Sequence, residues 1–483
     1  MQLPFTIEFT RSGTEKESTS RSIRRRVLWL SLLALFPLAA TAGLYLNMRP
    51  ASIAHRATDQ GGGSAVHIES VPSGAAVLVD GQQRGITPVT LRIPSGSHSV
   101  IFRKNGYSDT VVPVQADTES PLTVRATLWL ATPRVEALRP PLPGTTISDA
   151  RFLTDGRVAL VVSLPPGRER QAWVREREGR LSRVGPMDIS PPGIAIAPDG
   201  RGVAYLGGAD ASTGAGLSKE LWLSGDGSRG RRLWTAPGPL EEITDLAWSP
   251  KGDYLVASTR ESLPSGMSRT LIRRLAMADG SALALAVMPA ELVPGSVDWS
   301  PEADRLAFLA RAGEITALCV VNVDGTNFRY LADVARGPTP PWIPLDWLPE
   351  GEGVVYSQSP DPVLTSDSAP QLYYDDLAGR PPSRLEGSGH SPVWRDRELL
   401  ALALPKADTP LLLQAFPSLT DGSRGSQKTL QPARVLGSLG VKAVLPVAAR
   451  WDAPAGRALL SIPAEPGSGA EHSYWLVDWR SGE

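Results

Sequence analysis

The chain has 483 residues, of which 42% are hydrophobic and 20% charged, and its formal net charge is −1. That length exceeds one small core and divides naturally into two to four folding units. The near-neutral balance supplies no field to draw in nucleic acid. A single cysteine, Cys319, excludes an intrachain disulfide framework and any multi-cysteine metal site.

Residues 1–26 are polar and basic, and twenty uncharged residues follow, from Val27 to Leu46. A helix of that length spans roughly 30 Å of hydrocarbon. Lys16, Arg21, Arg24, Arg25 and Arg26 precede it, and only Arg49 and Arg56 follow it closely. This bias places the N-terminus in the cytoplasm and exports the rest. Trp29 and Tyr45 sit near the two ends, as interfacial aromatics do. The expectation is a cytoplasmic tail over 1–26 and a signal-anchor helix over 27–48. Cleavage after Ala42, in the small-x-small sequence Ala40-Thr41-Ala42, is the alternative, and it also exports the bulk of the chain. Residues 49–64, with Pro50 and the run Gly61 to Gly63, read as a flexible linker.

From 65 to 131 short apolar strands alternate with turns. Val66 to Ser70 alternates, and Ala76 to Val79 stops at Asp80-Gly81, a dipeptide that tolerates the positive φ of a tight hairpin. Further turns fall at Gly85 to Pro88, Pro94 to His98 and Asn105-Gly106-Tyr107, and Leu122 to Leu130 closes the set. Five or six strands in so short a span predict a compact antiparallel sandwich. In order and spacing, Pro72-Ser73-Gly74-Ala75, Val79-Asp80-Gly81, Gly85-x-Thr87-Pro88, Gly96-x-His98 and Gly106-Tyr107 resemble the PEGA domain. The resemblance implies a small β-sandwich in an exported protein, acting as a spacer or interaction module. His98 falls in a turn and is expected to serve that turn.

Beyond residue 147 the chain repeats. A large apolar residue closes a strand, and a polar turn follows it. These anchors are Phe152, Ile196, Trp248, Trp299, Trp347, Trp394 and Trp451, at intervals of 44, 52, 51, 48, 47 and 57 residues. Each turn, such as Asp155-Gly156, Asp199-Gly200 or Lys251-Gly252, leads into an apolar strand such as Val203 to Leu206. A third strand, such as Leu221 to Leu223, ends in a second turn at Asp226-Gly227, Asp279-Gly280, Asp324-Gly325 or Ala378-Gly379. A more polar fourth strand follows, such as Arg231 to Trp234. Four strands per 40–50 residues is the arithmetic of a propeller blade. Trp248-Ser249-Pro250-x-Gly252 and Trp299-Ser300-Pro301, with Val323-Asp324-Gly325-Thr326 downstream, resemble the repeats of TolB-type and WD40-like propellers. The resemblance implies a mainly β propeller over 133–483, of seven blades or alternatively six. The tryptophans are expected to be packing anchors. Pro133 to Leu138 resembles the fourth strands elsewhere and is expected to complete the last blade, pairing an edge left open by the C-terminal unit.

Catalytic machinery is not evident in the sequence. The five histidines, His55, His67, His98, His390 and His472, have no partner at zinc-site spacing. Neither a Gly-x-Ser-x-Gly elbow nor a glycine-rich phosphate loop before a helix occurs. Gly207-Gly208-Ala209-Asp210 is loop composition. Asp375-Asp376 and Glu241-Glu242 are adjacent on strands and point to opposite faces. Arg175-Glu176-Arg177-Glu178 reads as a solvated strand, and Cys319 as a small buried hydrophobe. No catalytic, cofactor-binding or metal-binding residue is put forward, and no cofactor is implied. The expected protein is a single-pass, extracytoplasmic binding or scaffolding protein that presents its propeller to an envelope protein or glycan and not to nucleic acid. The alternative is a periplasmic or surface lyase or hydrolase working in the propeller funnel. A signalling ectodomain is a third possibility, though the tail holds no recognisable signalling module.

Overall fold

The computed structural model describes residues 63–483 apart from 118–120, 165–168, 190–193, 208–218, 226–229, 239, 289, 294, 337–341, 349–350, 352, 359–369, 396–397, 404–409, 417–418, 422–427, 431–433, 443–446, 453–454, 465–469 and 481–483. The predicted tail, anchor helix and nearly all of the linker, together with His55 and the turn at Asp226-Gly227, lie outside the described residues. Among the described residues no helix is long and apolar enough to cross a membrane.

The first sandwich is built as the turn chemistry dictates. Its strands are β1 (Ser64–Val71), β2 (Ala76–Val79), β3 (Gln82–Ile86), β4 (Val89–Ile93), β5 (Gly96–Arg103), β6 (Thr110–Ala116) and β7 (Leu122–Thr127). Asp80 (φ 49°) and Gly81 (φ 81°) both take positive φ, giving the two-residue hairpin between β2 and β3. One sheet runs β4-β1-β7 and the other β3-β2-β5-β6. Between them Val66, Ile68, Val77, Val100 and Phe102 are wholly buried. Two expectations need correction. There are seven strands, not five or six, and β1 pairs with β7 in parallel. The chain changes sheets between β6 and β7 and re-enters beside β1 in the same direction, so the sandwich is not purely antiparallel.

Seven further sheets follow, each begun by one anchor. The first holds Thr146–Phe152, Val158–Leu164, Glu169–Arg175 and Leu181–Ile189, and the second Ile194–Ile196, Val203–Gly207, Glu220–Ser224 and Arg231–Thr235. The third holds Glu241–Trp248, Tyr254–Ser262, Ser268–Ala276 and Ala282–Met288. In the fourth, the opening strand is broken into Glu291–Leu292 and Asp298–Trp299, ahead of Arg305–Ala312, Ile315–Asn322 and Arg329–Arg336. The fifth holds Leu345–Trp347, Val354–Gln358, Gln371–Asp375 and Ser383–Ser388. The sixth holds His390–Arg395, Glu398–Ala403, Pro410–Phe416 and Arg434–Lys442, with a small hairpin, Leu419–Asp421 and Lys428–Leu430, inserted before its last strand. Each second strand is apolar on both faces because both faces are covered by neighbouring sheets. Val158 to Val162, Leu306 to Leu309 and Leu399 to Leu402 are buried without alternation. This is a β-propeller.

The seventh sheet closes the ring with a strand from the other end of the chain. Ala448–Asp452, Arg457–Pro463 and His472–Asp478 are joined by Arg134–Ala137, with Val477 opposite Val135. The predicted completion of the last blade by Pro133 to Leu138 is therefore observed. Arg457 sits in the same seam. It reaches the Gly156 carbonyl in the first blade and the Asp452 carboxylate, and lies 4.9 Å from the Phe152 ring centroid.

The sandwich packs against this closing blade. Trp129 is 2% exposed and belongs to the same apolar cluster as Leu460, Val477 and Trp479. The Leu130 amide donates to the Trp479 carbonyl at 2.8 Å, and Ser108 Oγ donates to the Leu436 carbonyl at 2.6 Å. One smaller expectation fails. Arg175 ends a strand, and Glu176 to Gly179 form a turn closed by Gly179 N to Glu176 O at 3.0 Å, so Arg175 to Glu178 are not one solvated strand.

Candidate functional site

The anchors close the innermost strands, so the residues around them meet on the propeller axis. A cavity of about 490 Å³ lies there, and all seven blades wall it. Blades one to three contribute Arg151 to Thr154, Ile196, Pro198 and Ala247 to Pro250. Blades four and five contribute Gly295, Val297 to Trp299, Trp342, Ile343, Leu345 and Asp346. Blades six and seven contribute Ser391 to Val393 and Ala449 to Asp452. The volume lies in the range of small-ligand pockets.

Side chains meet across the ring at this cavity. Arg450 Nη1 donates to Asp149 Oδ1 at 2.7 Å and to the Ala150 carbonyl at 2.6 Å, and its Nη2 donates to the Gly295 carbonyl at 3.0 Å. This single guanidinium thus ties blade seven to blades one and four. Its carbon stands 4.5 Å from the ring centroid of Trp342, whose Nε1 donates to Asp149 Oδ1 at 3.1 Å. Arg151 gives Nη2 to Asp149 Oδ2 at 3.0 Å. These side chains form part of the wall of the cavity, which has the form of a cup.

Four aspartates follow a rule of position, and two of them, Asp298 and Asp346, line the cavity. Asp149 and Asp245 stand three residues before their anchors, Asp298 and Asp346 one residue before. Both offsets fall on one strand face, because side chains repeat every second residue. Three of the four accept a hydrogen bond from the following blade. Gly295 N reaches Asp245 Oδ2 at 2.9 Å, Trp347 Nε1 reaches Asp298 Oδ2 at 3.2 Å, and Trp394 N reaches Asp346 Oδ2 at 2.7 Å.

Their electrostatics diverge. Burial opposes charge on Asp149, but Arg450 and Arg151 outweigh it and hold this carboxyl at about 2. Burial pushes Asp245 up to about 6, against backbone hydrogen bonds from Gly295 and Leu246. It lifts Asp298 to about 6 against the pull of Arg450. Burial lifts Asp346 furthest, to about 8, with the Asp298 charge adding to the effect. Carboxyls displaced this far are a signature of working sites as well as of structural clusters.

The anchor tryptophans do pack. Trp248 Nε1 donates to Ala195 O at 3.0 Å and Trp451 Nε1 to Ser391 O at 2.9 Å, each on the preceding blade. Trp248, Trp299 and Trp451 also face the cup, a second role that the repeat pattern conceals.

Residues singled out in the sequence do not converge. His98 Nδ1 bonds Asp80 Oδ2 at 2.6 Å and its Nε2 lies 2.9 Å from Pro94 O, so it ties two turns of the sandwich together. His390 is buried in the sixth blade, and desolvation lowers it to about 4. Cys319 is buried among apolar residues of the fourth blade, and its thiol is pushed up to about 12. Glu241 turns inward to Thr259 and Arg273 while Glu242 pairs with Arg260. Asp375 turns to Arg329 and Asp376 to Arg380. Among the described residues no group of three or more His, Cys, Asp or Glu is arranged to hold a metal ion. The charged residues that line the cup, Arg151, Asp298, Asp346, Arg450 and Asp452, were not identified from the sequence, nor were Asp149 and Asp245 beside them. Except for Asp452, their signal is the charged residue one or three places before an anchor.

An oligogalacturonate lyase in complex with manganese is structurally similar at 11% identity and a TM-score of 0.44, covering 72% of this chain and 97% of that one. The β-propeller domain of the trilobed protease from Pyrococcus furiosus is similar at 13% identity and a TM-score of 0.41, covering 70% and 96%. TolB from Acinetobacter baumannii is similar at 12% identity and a TM-score of 0.27, covering 67% and 79%. No curated protein matches the sequence. Residues 64–130 match the family model of the PEGA domain.

Proposed function

We propose that this is a membrane-anchored, extracytoplasmic binding or scaffolding protein whose propeller receives an envelope protein or glycan at the central cup. The observation that carries the reading is the cavity itself, a space of about 490 Å³ walled by every blade. Its Asp and Arg side chains offer acceptors and donors, and its tryptophans offer apolar surface. The charge bias around Val27–Leu46 supports export with the N-terminus retained in the cytoplasm. The PEGA match over 64–130 fits an exported protein.

Affinity capture with the full-length chain against envelope proteins and glycans tests this. Val297, half-buried on the cup wall, is changed in parallel by Val297→Phe, which fills space without adding charge. Partners retained by the wild type and lost by the variant support the reading. Equal capture by both rules out the cup as the binding site.

The raised Asp346 carboxyl favours one second reading, a lyase or hydrolase using it as a proton donor in the funnel. Glycan turnover that disappears in Asp346→Asn would establish that alternative.

A further inference from the structure

We propose that His98 is a proton-operated clamp in the sandwich. As an imidazolium it pins the turn at Pro94, beside the point where residue 63 enters the domain, and it lets that turn go when its proton leaves.

The first argument is a donor count. His98 Nδ1 stands 2.6 Å from Asp80 Oδ2, and Nε2 stands 2.9 Å from the Pro94 carbonyl oxygen. A carbonyl only accepts, and so does an ionised carboxylate. A neutral imidazole has one N–H and can serve only one of the two. Both contacts are satisfied together by the doubly protonated ring. Asp80 is fixed in place to receive it. It takes φ 49° ahead of Gly81, its amide donates to the Ser99 carbonyl at 2.9 Å, and its Oδ1 accepts the Ser99 amide at 2.9 Å. Its Oδ2 is left to meet the ring.

The second argument is which contact fails. When the ring loses a proton, the remaining N–H stays on the carboxylate, the stronger and charge-assisted partner. Nε2 then presents a lone pair to the Pro94 oxygen, and attraction becomes repulsion. The turn released in this way has a particular place. Gly63 enters the sandwich against it, so closely that a Cβ there would stand 2.6 Å from the Ile93 oxygen and 3.2 Å from the Pro94 nitrogen. The same turn carries the chain from β4, which pairs with β1, to β5, which pairs with β2. It is thus a bridge between the two sheets. Proton binding sets how firmly the incoming chain and both sheets are held at this end of the domain.

Asp80 is the controlling charge. Opposite His98 on β6 stands Val114, and its neighbour Gln115 is engaged by the Ser97 hydroxyl. Among the described residues the surrounding elements also carry Arg84 on β3, Arg92 on β4 and Asp117 just past β6, but it is Asp80 that acts on the ring. The Asp80 hydrogen bond raises His98 above its ordinary 6.5, and the same contact lowers Asp80. The clamp is therefore mostly closed at pH 6.5 and opens as pH rises further.

The test uses the full-length chain in detergent micelles, labelled with carbon-13 at the histidine ring, which gives at most five ring signals. His98→Gln identifies the His98 signal by its loss. That signal is expected to titrate above 6.5 in the wild type. It should fall back toward 6.5 in Asp80→Asn, which accepts positive φ and keeps an oxygen for the Ser99 amide. Hydrogen exchange of the peptide spanning 94–99, corrected for its intrinsic base dependence, is read over the same pH range. Its protection is expected to fall about fivefold as His98 deprotonates, the scale of one hydrogen bond, while that of β2 stays constant. Titration of His98 at or below 6.5, a value indifferent to Asp80→Asn, or protection of 94–99 that does not follow the titration overturns the proposal. The exchange profile needs no variant, so it decides the matter even if a variant melts early.

Discussion

The indole rings of Trp129 and Trp479 stack with centroids 5.1 Å apart and planes 27° from parallel, and Trp451 lies 5.8 Å beyond Trp479. Trp129 follows the last strand of the sandwich, whereas Trp479 and Trp451 belong to the closing blade, so this stack fastens the two units. Trp129→Ala removes a buried ring and is expected to cost about 3–5 kcal/mol. In scanning calorimetry the wild type is expected to melt as one transition and the variant as two, with the sandwich released. A single unshifted transition would show that the stack does not couple them.

The closing seam has its own test in Arg457, which is 4% exposed. Arg457→Ala leaves the Asp452 carboxylate without its partner and empties the space beside Phe152. Loss of one partner of a buried pair costs about 3 kcal/mol. Urea unfolding should show that loss with an unchanged slope, and limited proteolysis should cut first near the ring closure. Stability within about 0.5 kcal/mol of wild type would mean the seam is held by the strand pairing alone.

Stability should fall with rising pH over the range where Asp346 titrates. Its folded value of about 8 lies above the ordinary carboxylate value of 3.8, so the folded state holds the proton more tightly. Stability from that proton is complete below 3.8 and is lost as pH rises through 8. Asp298 and Asp245, both raised to about 6, act in the same direction. So does His98, which the Asp80 hydrogen bond raises. The other charged groups at the cup are Asp149, Arg151, Arg450 and Asp452, the last paired with Arg457, with the Tyr474 hydroxyl near Asp149. Asp149 is held at about 2 and keeps its charge throughout. His390, lowered to about 4, and His472, also lowered, act the opposite way below pH 6.5, so melting temperatures should decline from pH 6.5 to pH 9 in the wild type, and the decline should be shallower in Asp346→Asn. Parallel curves would place the titrating group elsewhere.

Topology is tested in living cells. Alkaline phosphatase, which needs an oxidising compartment, is fused after Glu483, and Arg24, Arg25 and Arg26 are changed together to Glu in a second strain. Phosphatase activity is expected from the first fusion and should drop several-fold in the second, because a basic flank orients an apolar spanning segment. An inactive first fusion would mean that the propeller is cytoplasmic.

Turn and strand chemistry made most of the architecture readable. Asp80-Gly81 gave its hairpin because few dipeptides accept two positive φ values, and each anchor gave the end of an innermost strand. Leu419–Asp421 and Lys428–Leu430, the inserted hairpin, carry no such periodic mark. The cup was not readable because its charges come from blades up to three hundred residues apart, as Asp149 and Arg450 are. Individually each of these residues resembles an ordinary strand-end polar group. Only ring closure turns a one-in-fifty recurrence of Asp into a shared enclosure.

The pairing of Arg134–Ala137 with His472–Asp478 also sets an order of events for biogenesis. The closing strand leaves the exit channel early, directly behind the sandwich, and then waits unpaired until its partner emerges more than three hundred residues later. During that interval its edge is open to mispairing. A chain interrupted before residue 472 would carry an open ring, so proteolytic surveillance can distinguish finished molecules from unfinished ones by this single seam.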